Sequence, residues 1–402
     1  MQMPGIGDIV NITIQSVAFG GGGIAHINDM VIFVPFAVDG DRLEVAITQK
    51  RKKYLRGIIT KIVRPSPFRI EPACRYYTRC GGCQYQHIHY SHQLQIKERQ
   101  VREVFERIGK FKAPPVEKII PSPRCLHYRG HADFHVEIQK NGKTPKIGFM
   151  QEFDHSLVDV ERCEIADESI NQQLGDIRRN LLGGRARGLT PREKIWSSTP
   201  EGKESPLMTG KRKQLMTRIV KGETLVVPRR GFFQANLHLT ATLVDCVIER
   251  GHFTGRERIL DGYCGSGLFA FFMAPHVRWI WGIEANEQAL TCARMNVVSG
   301  GLDNVSLWQG DIAEALKHLV KDKVKIDMMV LDPPRGGCSS EVIESLSKMR
   351  PSRIIYVSCH CATQARDIRK FVDYGYTLNS LQPLDMFPQT GHIEVVASLE
   401  GK

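Results

Sequence analysis

RILDGYCGSGLF, residues 258–269, is a short apolar run that ends in Asp261, breaks into a glycine-rich turn and resumes as a second apolar run. A strand that closes in an acid and leads through Gly265 and Gly267 into a helix lets the backbone approach a ligand at the carboxyl edge of a sheet. The same alternation continues downstream: RWIWGIEA at 278–285, QALTCARMN at 288–296, KIDMMVLDPP at 325–334, EVIESLSKM at 341–349 and RIIYVSC at 353–359. Strands alternating with helical patterns predict an α/β fold, a doubly wound and largely parallel sheet that begins after Gln234. The third glycine of a dinucleotide fingerprint is missing, which argues against NAD.

Further out, the strand ends carry acids. Glu284 closes the second strand 23 positions after Asp261, where an acid can bind the ribose hydroxyls of a nucleoside. Asp311 in WQGDI follows the third strand and is placed to meet an adenine, and Asp332 in LDPPR closes the fourth over the same crevice. The competing reading of such acids is that they cap helices. Together the four strand ends resemble the Rossmann-like class I S-adenosylmethionine methyltransferases.

The fifth strand delivers Cys359 to the same edge. Taken alone, it reads as one more buried cysteine packing as a small hydrophobe. Its neighbours change that reading: DPPRGG at 332–337, YVSC at 356–359 and DMFPQTGHIE at 385–394 resemble the RNA uracil-C5 methyltransferase family motif by motif. The resemblance implies that Cys359 attacks carbon 6 of uracil and that Glu394 removes the carbon 5 proton after methyl transfer. It also marks Gln234, Tyr263, Glu284 and Asp332 as contacts to cofactor or base, although Gln234 alone also reads as a helix-capping or loop residue. Arg335 fits a phosphate or carbonyl contact as well as an ordinary ion pair. The chain departs from the family at His360 and Cys361, where Asn-Pro is usual, and at Leu268, where Asn often follows the glycines. Both departures flank functional positions, while the nucleophile and the base remain in place.

Toward the N-terminus, residues 8–63 alternate short apolar-polar runs with turns and read as about five strands of a small β-barrel of the oligonucleotide-binding type. Lys50, Arg51, Lys52, Lys53 and Arg56 beside Tyr54 form a basic edge, suited to nucleic acid or simply solvated. Then come Cys74, Cys80 and Cys83, spaced C-x5-C-x2-C, with Cys163 further on, a set that suits zinc or an iron-sulfur cluster. Gly81 and Gly82 give such a turn its freedom. Ser91 is placed to cap a helix whose stripe is Leu94, Val101, Val104, Phe105 and Ile108, ending at Gly109. Residues 125–230 read as a mixed, mostly β region with basic stretches RARGLTPREK and TGKRK.

The resemblance covers nearly the whole chain. It implies a TRAM barrel over 1–62, an iron-sulfur central domain over 63–92 and 125–229, and a methyltransferase domain over 93–124 and 230–402. In the family the matching cysteines hold a 4Fe-4S cluster, so metal identity rests on the resemblance. A net charge of +12 and pI near 9.2 fit a polyanionic partner or a well-solvated basic surface; the resemblance implies RNA, expected to be ribosomal RNA ahead of transfer RNA. No signal peptide or membrane span stands out, so a cytoplasmic monomer with no membrane partner is expected, and the 11 cysteines read as thiols. Two other functions fit parts of the sequence. An RNA-binding protein with an inactive methyltransferase fold is disfavoured by the intact Cys359 and Glu394. An amino-group base methyltransferase would use Asp-Pro-Pro but needs no cysteine nucleophile.

Overall fold

The computed structural model describes residues 4–138, 144–152, 154, 156–183, 190–198 and 215–401. The basic residues at 185–189 and 209–213 noted above lie outside them.

The N-terminal runs form six strands, β1 (Ile9–Thr13), β2 (Ser16–Val17), β3 (Gly23–Ile27), β4 (Met30–Val34), β5 (Arg42–Lys50) and β6 (Tyr54–Arg64). The sequence suggested about five, because Ile14 and Gln15 interrupt what is otherwise one run. β1 pairs with β5 while β2, two residues on, pairs with β3, so the first strand serves both edges and the sheet closes into a barrel. Alternation points Ile12, Ile32, Leu43, Val45, Ile47 and Leu55 inward as its core.

Helix α1 (Tyr90–Arg107) leaves the cysteine-rich loop. Its cap position is His89, without a side-chain bond, and Ser91 lies inside the first turn. The buried face is also more polar than the expected stripe: His92, Gln93, Lys97 and Gln100 are buried with Ile96, Val101, Val104 and Phe105, whereas Ile108 is exposed. Buried polar groups persist where they are hydrogen-bonded: Lys97 and Gln93 reach the catalytic half at Asp385 and Gln389, whereas His92 bonds Asp39 and Gln100 bonds Val17 O and Ala18 O of the N-terminal region.

The central region is a four-stranded sheet of β7 (His131–Glu137), β8 (Lys146–Met150), β9 (Leu157–Asp159) and β10 (Arg192–Trp196), in the order β10-β7-β8-β9. Helix α2 (Glu168–Leu182) covers it, burying Ile170 and Leu174 against Phe134, with Asp167 capping through Ser169 N–H. The mostly β reading missed this helix, whose start signal is the Asp-Glu-Ser opening. A hairpin of β11 (Leu215–Val220) and β12 (Glu223–Pro228) follows. Its Met216, Val220, Leu225 and Val227 join the core of the catalytic sheet rather than the central one.

The last third runs α3 (Thr240–Gly251), β13 (Arg258–Gly262), α4 (Leu268–Met273), β14 (Trp279–Glu284), α5 (Glu287–Ser299), β15 (Val305–Gln309), α6 (Ile312–Lys321), β16 (Met328–Leu331), α7 (Ser340–Met349), β17 (Arg353–Ser358), α8 (Cys361–Asp373), β18 (Tyr376–Leu384) and β19 (Glu394–Gly401). The strand order is β15-β14-β13-β16-β17-β19-β18, with the first five parallel and β19 antiparallel to both neighbours. The near-continuous apolar runs of β13, β16 and β17 are those of strands covered on both faces. The order reverses between β13 and β16, which opens a crevice at their carboxyl ends.

Candidate active site

At that crevice the turn after β13 is built by unusual backbone. Tyr263, Gly265 and Gly267 all have positive φ, at 66°, 56° and 80°. A Cβ placed on Gly265 would meet nothing within 4 Å, so the glycine faces open space in the crevice. Gly265 N–H donates to Glu284 Oε2 at 3.0 Å, and Asn286 N–H to Glu284 Oε1 at 2.7 Å, so Glu284 pins the turn to the end of β14. Asp261 is fully buried: Oδ2 accepts from Ala270 N–H at 3.1 Å, and Oδ1 has no partner among the described residues. Burial, then the nearby Asp332, pushes its carboxyl up to about 8.

Asp311 is exposed and caps α6, its Oδ1 accepting from Ala313 N–H at 2.8 Å and Glu314 N–H at 3.3 Å. The capping role therefore occupies one of its oxygens. Gln234 is buried in the loop before α3 but does not cap that helix, whose cap position is Leu239. Leu268 opens α4 and is buried in the core, so this departure from the family pattern packs rather than lining the crevice.

Cys359 follows β17, and the β17–β19 register pairs Ser358 with Val395. Continuing that register sets Cys359 against Glu394, the first residue of β19. The nucleophile candidate and the base candidate thus come from antiparallel neighbours, and Asp332 comes from the end of adjacent β16. Asp332 sits at the base of an open crevice, enclosed by protein yet reached by water, and burial raises its carboxyl to about 7. Glu394 is fully enclosed, and burial followed by Asp332 holds its carboxyl well above the usual range.

The Cys359 thiol is pushed up to about 11, first by burial and then by Glu394, while Arg335 acts in the opposite sense through its charge and a hydrogen bond. Arg335 is itself held: its carbonyl accepts from the Thr363 hydroxyl at 3.0 Å, and its guanidinium lies 3.3 Å from His392 Nε2. Burial and Arg335 lower His392 to about 4, so the neutral ring accepts that N–H. His360 accepts from Thr363 N–H at 3.3 Å and caps α8, and Cys361 is buried in the core beneath. The replacements for Asn-Pro are therefore a cap and a core residue.

The loop at 385–393 that carries Glu394 is anchored from outside the sheet. The fully buried Lys97 Nζ donates to Asp385 Oδ1 at 2.6 Å and to Phe387 O at 2.9 Å. Gln93 Nε2 donates to Gln389 Oε1 at 2.9 Å, and the Tyr128 hydroxyl to Pro388 O at 2.9 Å. Sequence reasoning saw α1 as an apolar stripe and missed this role; Asp385, the acid heading the DMFPQTGHIE motif, was the available signal.

Cys74, Cys80, Cys83 and Cys163 line one cavity of about 200 Å³. Burial raises all four thiols, Cys80 to about 11; neighbouring cysteines add to the rise at Cys80, Cys83 and Cys163, and Glu164 at Cys74. Among the described residues no three metal-binding side chains converge closely enough for a single ion. Neither Gly81 nor Gly82 has the positive φ expected of a permissive turn; Gly81 is required because a Cβ there would lie 3.2 Å from the Glu152 backbone.

Residues 5–60 match the TRAM domain model, and residues 220–402 match the model described as tRNA (Uracil-5-)-methyltransferase. An uncharacterized RNA methyltransferase of Halalkalibacterium halodurans is 31% identical over 448 positions, covering 98% of this chain and 97% of the relative. Another, of Gloeobacter violaceus, is 32% identical over 458 positions, with 98% and 97% covered. The chain belongs to the RNA (uracil-5-)-methyltransferase family. The fold of this methyltransferase is shared with the Pyrococcus abyssi tRNA (uracil-54, C5)-methyltransferase in complex with S-adenosyl-L-homocysteine, at TM-score 0.72 and 24% identity over 97% of this chain and 100% of that one. Among the described residues of the methyltransferase, no helix is long and apolar enough to cross a membrane.

Proposed function

We propose that the protein methylates carbon 5 of a uridine in RNA, with Cys359 as covalent nucleophile, Glu394 as the base, and S-adenosylmethionine as donor. The observation that carries this reading is the β17–β19 register, which sets thiol against carboxyl at the edge where Asp332 and the glycine turn also end. An amino-group methyltransferase has no use for that pair.

Uracil carbon 5 is too weak a nucleophile to take a methyl group unaided. The Cys359 thiolate adds to carbon 6, and the electron pair moves to carbon 5 as an enolate. S-adenosylmethionine, when bound, supplies an electrophilic methyl group. Glu394 then takes the proton from the tetrahedral carbon 5, and the returning electrons expel Cys359 and restore the ring. Its raised carboxyl makes Glu394 a stronger proton acceptor than an exposed glutamate. Arg335 favours the thiolate. Glu284 and Gly265 fit the ribose side of a nucleoside cofactor, Gln234 and Tyr263 fit the cofactor or base, and Asp311 fits the adenine through its remaining oxygen. Asp261 and Asp332, whose carboxyls are raised in the cofactor-free protein, would ionise more readily beside a cationic sulfonium.

The four cysteines fit a 4Fe-4S cluster. Four thiolates hold the separate irons of such a cluster, and these four cysteines line one cavity. The cluster would pin the loop of Cys74, Cys80 and Cys83 to Cys163 of the central region; the methylation itself has no redox step. The corresponding division of labour is a TRAM barrel over 1–62, the cluster domain over 63–92 and 125–229 less the β11–β12 hairpin, whose apolar residues pack in the catalytic core, and the methyltransferase domain over the remainder.

Nucleoside analysis of RNA treated with enzyme and S-adenosylmethionine tests the reaction: 5-methyluridine is expected, and N-methylated bases would overturn it. The expected target is ribosomal RNA, against which stand the transfer-RNA names of the matched family model and of the solved neighbour. Loss of 5-methyluridine from ribosomal RNA in cells lacking the protein supports the former, and loss from transfer RNA alone overturns it.

A further inference from the structure

We propose that a groove between the barrel and the cysteine-rich loop holds an unstacked nucleotide that flanks the target uridine. The proposal rests on the RNA methylation read above and adds a second base-binding site to it.

The groove has a volume of about 930 Å³, lined among others by Phe19, Phe33, Phe36, Tyr54, Arg56 and Glu152. That is the upper end of the roughly 300–1,000 Å³ of pockets that enclose drug-sized ligands, enough for a nucleotide. Strand register explains its aromatic wall. β4 and β6 run parallel with Val31 opposite Tyr54, Ile32 opposite Leu55 and Phe33 opposite Arg56. Ile32 and Leu55 point into the barrel core, so Phe33, Tyr54 and Arg56 must point out of it. The Phe33 and Tyr54 rings meet edge to face at 5.7 Å, and Arg56 lies 5.8 Å from the Tyr54 centroid. Aromatic faces backed by a guanidinium form a stacking platform for a base of any sequence.

Charge and continuity select RNA as the occupant. The exposed tip of the β5–β6 hairpin, Lys50 to Lys53, adjoins the aromatic wall, with Arg51 N–H donating to Tyr54 O at 2.9 Å. A polyanion running over the wall meets this tip. At the other end, the Phe19 ring packs edge-on against His360 at 5.8 Å, next to Cys359. Gly391, three residues before Glu394, lies on the backbone of Gly20, where a Cβ would come within 3.1 Å. Through Phe19 and Gly20 the groove wall therefore touches His360, the residue after Cys359, and Gly391 in the loop that leads to Glu394. Across the groove, Glu152 keeps a buried Oε2 with no partner among the described residues. A carboxylate there accepts from an exocyclic amino group such as that of cytosine.

The experiment uses short RNA substrates carrying 2-aminopurine at successive positions flanking the target. Binding to the unmodified enzyme is expected to quench one or two consecutive positions by stacking. The Phe33→Leu/Tyr54→Leu double variant is expected to abolish that quenching and raise Kd roughly 5- to 150-fold, the range for losing one stacked base, while 5-methyluridine formation at saturating RNA stays within about two-fold. Unchanged quenching and affinity would overturn the proposal, as would occupation of the groove by a protein partner while RNA leaves it free. Arg56→Glu alters only an exposed side chain and serves if the double variant does not fold: it is expected to weaken binding at least about tenfold by removing stacking and phosphate attraction, and unchanged binding overturns the proposal. Product formation is a separate readout, so failure of the unmodified enzyme to make 5-methyluridine rejects the reaction rather than the groove.

Discussion

Single side chains in the crevice are held in states that cost stability and supply reactivity. Asp261 is the clearest case, with its carboxyl raised from 3.8 to about 8 by burial and by Asp332. A group whose folded value is raised leaves the fold most stable when protonated, and that contribution is lost as pH climbs from the lower value through the upper. The cofactor-free protein is therefore expected to lose thermal stability between about pH 4 and pH 8 through this group. Asp261→Asn should flatten the loss and melt higher than the parent at pH 8, while binding S-adenosylmethionine more weakly. A parent-like pH slope in the variant, followed by circular dichroism, would show that Asp261 ionises freely in the fold. Cys359, raised to about 11, has the opposite consequence for rate, because the thiolate fraction grows tenfold per pH unit below that value. Single-turnover adduct formation should rise steadily from pH 7 to 9. Arg335→Gln should slow it at each pH and shift the curve upward, and a curve that stays in place would remove Arg335 from the thiol's environment.

At the scale of elements, the catalytic sheet was legible because β13, β16 and β17 are apolar on both faces and Asp261, Glu284, Asp332 and Cys359 stand at or just past the ends of their strands. Helix α1 was not, because its decisive side chains are polar and their partners are distant in sequence: the loop nearly three hundred residues on for Gln93 and Lys97, and the N-terminal region for His92 and Gln100. His360 and Cys361 were equally opaque as sequence, since a cap and a core cysteine become visible only once the start of α8 is placed. The Lys97–Asp385 pair converts this into a measurement. Removing one member of a fully buried pair leaves an uncompensated charge, at a cost of about 3–5 kcal/mol. Lys97→Met is expected to lower unfolding free energy by that amount and to reduce kcat, because the same lysine fixes the loop leading to Glu394. A loss below about 1 kcal/mol would mean that Asp385 finds water or another donor.

Across the whole molecule, the barrel and the cysteine-rich loop both meet the loop that leads to Glu394, Gly20 lying on Gly391 and the N–H groups of Gln84 and Tyr85 donating to Gln389 O. The barrel was legible from turn spacing, whereas its contact with His360 through Phe19 was not, since no local pattern encodes docking. If the four cysteines hold a cluster, protein purified without oxygen should be brown with roughly four irons per chain. Cys83→Ala should bleach it, and stoichiometric zinc without iron would reject the assignment. The covalent route is the central claim, and trapping tests it most directly. A base in a stacked helix exposes neither carbon 5 nor carbon 6, so the target must be flipped or unpaired before Cys359 can add. With substrate RNA and S-adenosylmethionine, Glu394→Gln should then accumulate a protein–RNA adduct stable to denaturing electrophoresis, because the carbon 5 proton has no acceptor. Cys359→Ala should form no adduct and no product. Normal 5-methyluridine formation by Cys359→Ala would contradict the account.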